Sequence, residues 1–142
     1  MLTRRITLSL AGILLFALLV TPVLANNGRD FAGTYTMSNA SPAGDNYTLT
    51  FSAQVFNYSG ADISQATLTL EDSLLPGQSY AVFQGISIAN SESTTVSSFI
   101  TIPAREYTGW QNGIPPHLVV QFTDASGNNR MESVELTQGV AQ

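Results

Sequence analysis

Tyr47-Thr48-Leu49-Thr50-Phe51-Ser52-Ala53-Gln54-Val55 alternates apolar and polar side chains over nine residues. Successive side chains of an extended strand point to opposite faces, so this pattern predicts a half-buried β-strand. Ala66-Thr67-Leu68-Thr69-Leu70 repeats it, as does Ile86-Ser87-Ile88. Further on, Val96, Ile100 and Ile102 share one face of a strand, with Phe99 on the other. Leu118–Phe122 is a short, mostly apolar run suited to a central strand, and Val134 and Leu136 supply a last inward face. Upstream, Phe31–Met37 reads as a short first strand interrupted by glycine, with Phe31, Gly33, Tyr35 and Met37 in phase.

Turn signals separate these runs: Asn57-Tyr58-Ser59-Gly60, Leu75-Pro76-Gly77, Asn90-Ser91-Glu92-Ser93, and the hairpin Asp124-Ala125-Ser126-Gly127-Asn128-Asn129. No stretch shows helical periodicity over ten or more residues. The expectation is an all-β fold, an antiparallel two-sheet sandwich of seven to eight strands. It fills one domain over residues 26–142, with an ordered core at about 31–137 and frayed ends.

The chain opens differently. Arg4 and Arg5 precede an apolar run from Ile6 to Val20, and Thr21-Pro22-Val23-Leu24-Ala25 follows. A basic start, a short apolar core and small residues at its end predict an export signal over residues 1–25, cleaved after Ala25. The run is too short and interrupted for a retained spanning helix, so no membrane insertion is expected after cleavage. Secretion, periplasmic or extracellular, follows as the expected location.

Charge narrows the possible partners. The formal charge of −5 becomes −7 after cleavage, because Arg4 and Arg5 leave while all ten acidic residues remain. There is no lysine, and only Arg29, Arg105 and Arg130 stay as cations, so neither nucleic acid nor an anionic membrane is an expected partner. With no cysteine, the fold must hold by its core alone.

Three segments carry a resemblance. Val55-Phe56-Asn57-Tyr58-Ser59-Gly60-Ala61-Asp62-Ile63 looks like the Asn, small-residue, Gly corner of bacterial immunoglobulin-like domains. Ile86–Val96, closing on Ile102-Pro103, is similar to their Ser/Thr-rich strand and proline, and Phe122–Asn128 resembles their closing hairpin. Over residues 45–137 the chain thus resembles immunoglobulin-like or fibronectin-III-like secreted β-sandwiches. That resemblance implies a non-catalytic spacer, adhesion or accessory binding module.

One segment has unusual composition. Residues 103–117 read as a long loop holding the only tryptophan, Trp110, the only histidine, His117, and also Tyr107 and Arg105. Aromatic faces beside polar groups suit stacking on sugar rings or anchoring a protein. Tyr107, Trp110 and His117, with Arg105 as an accessory contact, are therefore the binding candidates. The competing reading has Tyr107 and Trp110 folding back as a lid, with Arg105 and Glu106 as a local pair.

Catalytic chemistry finds little support. His117 lacks a nucleophile-elbow pattern around any serine and reads as the first residue of a strand placed by Pro115-Pro116. Glu71 and Asp72 are adjacent, and Glu132 and Glu135 differ in parity, so neither pair is set for acid–base work. Asp124, Ser126, Asn128, Glu132 and Glu135 match calcium-loop spacing, but Asn129 stands where that loop needs glycine and the flanks alternate as strands. A hairpin explains them better. Asn39, Asn46 and Asn57 open N-x-S/T triplets and read as turn and strand asparagines.

The sequence therefore predicts an exported, monomeric, non-enzymatic module without metal or cofactor, binding or spacing a protein or glycan partner. The alternative is a structural subunit assembled by strand addition, in which the first strand is exchanged between copies. A small secreted hydrolase comes third.

Overall fold

A computed structural model describes residues 29–140. The predicted export signal and its cleavage point lie outside the described residues. Seven strands and one short helix follow in order: β1 (Phe31–Ala43), β2 (Asn46–Asn57), β3 (Ile63–Glu71), β4 (Ser79–Ile88), β5 (Ser93–Pro103), α1 (Ala104–Gln111), β6 (His117–Thr123) and β7 (Asn129–Gln138).

The strands pair in the order β4-β3-β6-β7-β1-β2-β5. The sheet curls into a nearly barrel-shaped body, and β4 and β5, joined by the Ala89–Glu92 turn, approach each other. All pairings are antiparallel except one: β1 and β7 run parallel over Ala32–Tyr35 and Glu135–Gln138. The expectation of a purely antiparallel arrangement is thus corrected. Hydrophobic alternation states which face of a strand is buried, not which neighbour it chooses or in which direction.

Inward faces match the alternation. Leu49, Phe51, Ala53 and Val55 of β2 meet Leu68 and Leu70 of β3 and Leu118, Val120 and Phe122 of β6 in one core. Burying each large apolar side chain contributes roughly 1.5–3 kcal/mol. Val119 is also buried, so β6 is covered on both faces, as its apolar run implies.

β1 departs from its expected length. It runs 13 residues, and a register shift between Ser38 and Ser41, with Asn39 at φ 54°, carries it past a bulge into the β1–β2 hairpin. It lies between β7 and β2 and is paired on both sides. Gly33 is fixed by close approach: a Cβ there would overlap the Gln54 carbonyl oxygen.

Asn57 ends β2 as a buried clasp. Its Nδ2 donates to the carbonyls of Ala61 (2.8 Å) and Ile88 (2.9 Å), and its Oδ1 accepts from the Ser59 N–H (2.9 Å) and hydroxyl (2.7 Å). One side chain therefore ties the β2–β3 corner to the end of β4. Buried amides are stable only when satisfied in this way.

Candidate functional site: a neutral groove

The segment read as a loop over residues 103–117 begins as a helix. Pro103 occupies the N-cap with φ −59° and ψ 149°, and α1 runs to Gln111. It stops at Gly113, φ 85°, where the Gly113 N–H donates to Trp110 O (3.3 Å) and the Ile114 N–H to Gly109 O (2.9 Å). This is a Schellman ending, followed by Pro115.

The helix disperses the four predicted binding residues. Trp110 is 1% exposed and packs between Phe51 (5.8 Å between centroids) and Tyr80 (6.2 Å). Its ring belongs to the core and offers no face for a ligand. Its Nε1 has no hydrogen-bond partner. His117 opens β6, as expected, with Nδ1 3.3 Å from Glu71 Oε2.

Arg105 is held internally. Its Nη2 donates to Asp72 Oδ2 at 2.7 Å and its Nη1 to Glu106 Oε1 at 3.2 Å. Asp72 Oδ1 also accepts the N–H groups of Leu74 and Leu75, while Glu106 Oε1 accepts the Ser73 N–H (2.8 Å) and hydroxyl (2.6 Å). The Tyr80 hydroxyl reaches the same Glu106 oxygen at 3.5 Å. The guanidinium, with those backbone bonds, holds the Asp72 carboxyl well below the usual carboxylate range. Burial first, then the neighbouring Asp72 and Glu106, pushes the Tyr80 phenol well up. The cluster latches α1 to the β3–β4 turn.

Tyr107 has a different setting. It stacks on Tyr47 at 4.1 Å, its hydroxyl accepts Gln111 Nε2 at 2.9 Å, and it borders a cavity of about 220 Å³. Gln111, Gln138, Asn39 and Ala40 line that cavity further. It shares Thr36, Met37, Ser38 and Gly139 with a larger groove of about 570 Å³ on the outer face of β1, β2 and β5. None of the lining residues of either is charged.

Register sets the groove floor. Thr34, Gln54 and Thr95 form one row across the three strands, Thr36, Ser52 and Ser97 the next, and Ser38, Thr50 and Phe99 a third. Neighbouring strands lie about 4.8 Å apart, so these rows present closely spaced hydroxyl and amide groups. The backbone continues past β7, where the Gly139 N–H donates to Tyr35 O (2.7 Å), and Val140 flanks the groove. Phe99, 68% exposed, stands in the third row. Of the lining residues, only Tyr107 is a binding candidate in the sequence. The missed signal was the polar half of the same period-2 pattern: Thr34, Thr36 and Ser38, then Thr48, Thr50, Ser52 and Gln54.

The calcium-like spacing folds as a hairpin. Asp124 Oδ1 accepts the N–H groups of Ser126 and Asn128, both at 2.9 Å. Arg130 pairs with Asp124 (3.7 Å) and Glu132 (2.7 Å), while Glu135 faces Arg29 (3.2 Å). Among the described residues, no three metal-ligating side chains converge. Of the three triplet asparagines, Asn57 is fully buried.

No family model matches the chain, and no curated protein matches it. Among solved structures, it is similar to a Northeast Structural Genomics Consortium target, SoR45, at 9% identity. That alignment covers 74% of this chain and 80% of the other, with a TM-score of 0.39. It is also similar to part of a β-glucosidase involved in saponin metabolism from intestinal bacteria, at 15% identity and a TM-score of 0.34. There it covers 73% of this chain and 16% of the enzyme.

Proposed function

We propose that the chain is an exported, non-catalytic, immunoglobulin-like β-sandwich module that binds a neutral glycan along the outer face of β1, β2 and β5. One observation carries this reading: an acidic chain of formal charge −5 keeps a groove of about 570 Å³ free of charge and lines it with hydroxyl and amide groups. Such groups exchange hydrogen bonds with sugar hydroxyls, and the half-buried Tyr107 ring borders them with an aromatic edge suited to the apolar side of a pyranose. The sandwich reading is supported by two antiparallel strand sets, β4-β3-β6-β7 and β1-β2-β5, whose ladders connect through the short parallel β1–β7 pairing.

Affinity electrophoresis of the purified protein in gels containing neutral polysaccharides tests this reading. Retardation by at least one polysaccharide is expected. It should persist at high salt, because uncharged contacts are not screened. Ser52→Glu, which places a carboxylate on the groove floor, should abolish it, whereas Arg130→Gln on the far hairpin should not. Failure of every neutral polysaccharide to retard the protein, or retardation unaffected by S52E, overturns the proposal.

A further inference from the structure

The two margins of the sheet are built differently. β4 meets β3 through three register shifts, with Gln65 of β3 at φ 53° and Gly85 of β4 at φ 68°. Bulges of this kind bend an edge strand and spoil it as a template for another strand. β5 meets β2 in an unbroken register from Asn46↔Pro103 to Phe56↔Ser93.

That regular edge lacks the devices that keep edges apart. Ser93-Thr94-Thr95-Val96-Ser97-Ser98-Phe99-Ile100-Thr101-Ile102 contains no charge, no glycine and no proline, and is rich in β-branched residues. Lysines, inward charges and bulges are the usual protections, and none is present here. Near its midpoint stands Phe99, an outward-facing aromatic left 68% exposed.

We infer that β5 is the contact through which two copies of this chain join, edge to edge and antiparallel, about a two-fold axis at Phe99. Charge favours a second copy at this strand. An acidic chain repels its own kind, and an uncharged edge is where two copies can approach with the least opposition. A two-fold axis makes the patch self-complementary, so the assembly closes at two. With the axis at Phe99, the two rings lie directly opposite and cover each other, as cross-strand partners do. The β1-β2-β5 face then continues across the axis, doubling the hydroxyl-lined surface. This contact replaces the expectation of a monomer and does not depend on what the groove binds.

The cysteine-free sequence allows a clean experiment. Sedimentation velocity on the purified protein should show a monomer–dimer equilibrium that shifts to monomer in Phe99→Lys. Measured at concentrations where the parent is also monomeric, the melting temperature should stay unchanged there, because the site is exposed. Phe99→Cys should be joined into covalent dimers by a short bis-maleimide. Val82→Cys, exposed on β4, should not. A protein that stays monomeric at its highest attainable concentration overturns the inference. So do dimers that persist in F99K, cross-linking at V82C in place of F99C, or open-ended oligomers.

Discussion

The Tyr35 hydroxyl donates a 2.6 Å hydrogen bond to the backbone carbonyl of Trp110, 75 residues further along the chain. This buried bond fastens the C-terminal turn of α1 to the middle of β1. Tyr35→Phe keeps the ring beside Phe51 (6.5 Å) and leaves the Trp110 carbonyl its weaker bond from the Gly113 N–H. A loss of about 1 kcal/mol is expected by urea denaturation, with the m-value unchanged.

Trp110 separates packing from hydrogen bonding. Its indole N–H has no partner, so Trp110→Phe removes an uncompensated donor along with some ring volume. Trp110→Ala removes the wedge between Phe51 and Tyr80 and should cost about 3–5 kcal/mol. The phenylalanine variant should retain most of that stability. Thermal melts of the two variants beside the parent check the ranking, and equal losses would contradict it.

Gly33 tolerates no side chain. A Cβ would overlap the Gln54 carbonyl within the β1–β2 ladder, so backbone has to move. Gly33→Ala should destabilise by about 1–3 kcal/mol, the usual range for overpacking. Gly44→Ala, at a hairpin position where a Cβ meets nothing within 4 Å, tests the cost of a positive φ without a clash. The expected order of loss is G33A above G44A.

Asn57 should be equally intolerant. Asn57→Ala removes the amide partner of the Ile88 carbonyl and of the Ser59 N–H and leaves the Ala61 carbonyl only the Ser59 hydroxyl, at a cost of about 2 kcal/mol or more. Asn57→Asp fares no better, since it sets a carboxylate oxygen against two carbonyls. Chemical denaturation measures both.

Stability should fall at both extremes of pH. Asp72 is held low by Arg105, and Asp124 by the Asn128 and Ser126 N–H groups, so the unfolded chain takes up protons that these folded carboxylates refuse. Their contribution is complete above the ordinary carboxylate value and fades as pH drops below about 4. Glu132 acts in the opposite sense, because burial and the nearby Asp30 raise it. At the alkaline end, Tyr80 and Tyr35 are raised, chiefly by burial. Their contribution is complete below the unfolded phenol value and is lost as pH climbs past about 10. Melting temperature against pH should show both limbs. Arg105→Met should lower the plateau and flatten the acid limb.

The faces of the strands were legible because burial follows a period of two: Val96, Ile100 and Ile102 point in, and Phe99 points out. The parallel β1–β7 pair was not legible, since nothing within Ala32–Tyr35 encodes a partner about 100 residues away. α1 is not legible because eight residues that include Gly109 are too few for a periodic signal. Its ending, Asn112-Gly113-Ile114-Pro115, was readable as a helix stop. Had it been read so, Glu106 and Trp110, four apart, would have shared one face, the buried one. Tyr107, a binding candidate in the sequence, borders a cavity. Trp110, another candidate, is buried: a lone tryptophan among polar residues looks exposed until a helix turns it inward.

The seam between β1 and β7 also sets an order of events. Phe31 and Tyr35 belong to the first strand, yet one flank of that strand stays open until Glu135–Gln138 arrives. Folding must therefore wait for the far end of the chain, and non-local closure of this kind is slow. Until then, β1 offers an unpaired margin to any neighbouring chain. The interval before the last strand docks is when this protein is most exposed to misassembly, and when a chaperone would have most to protect.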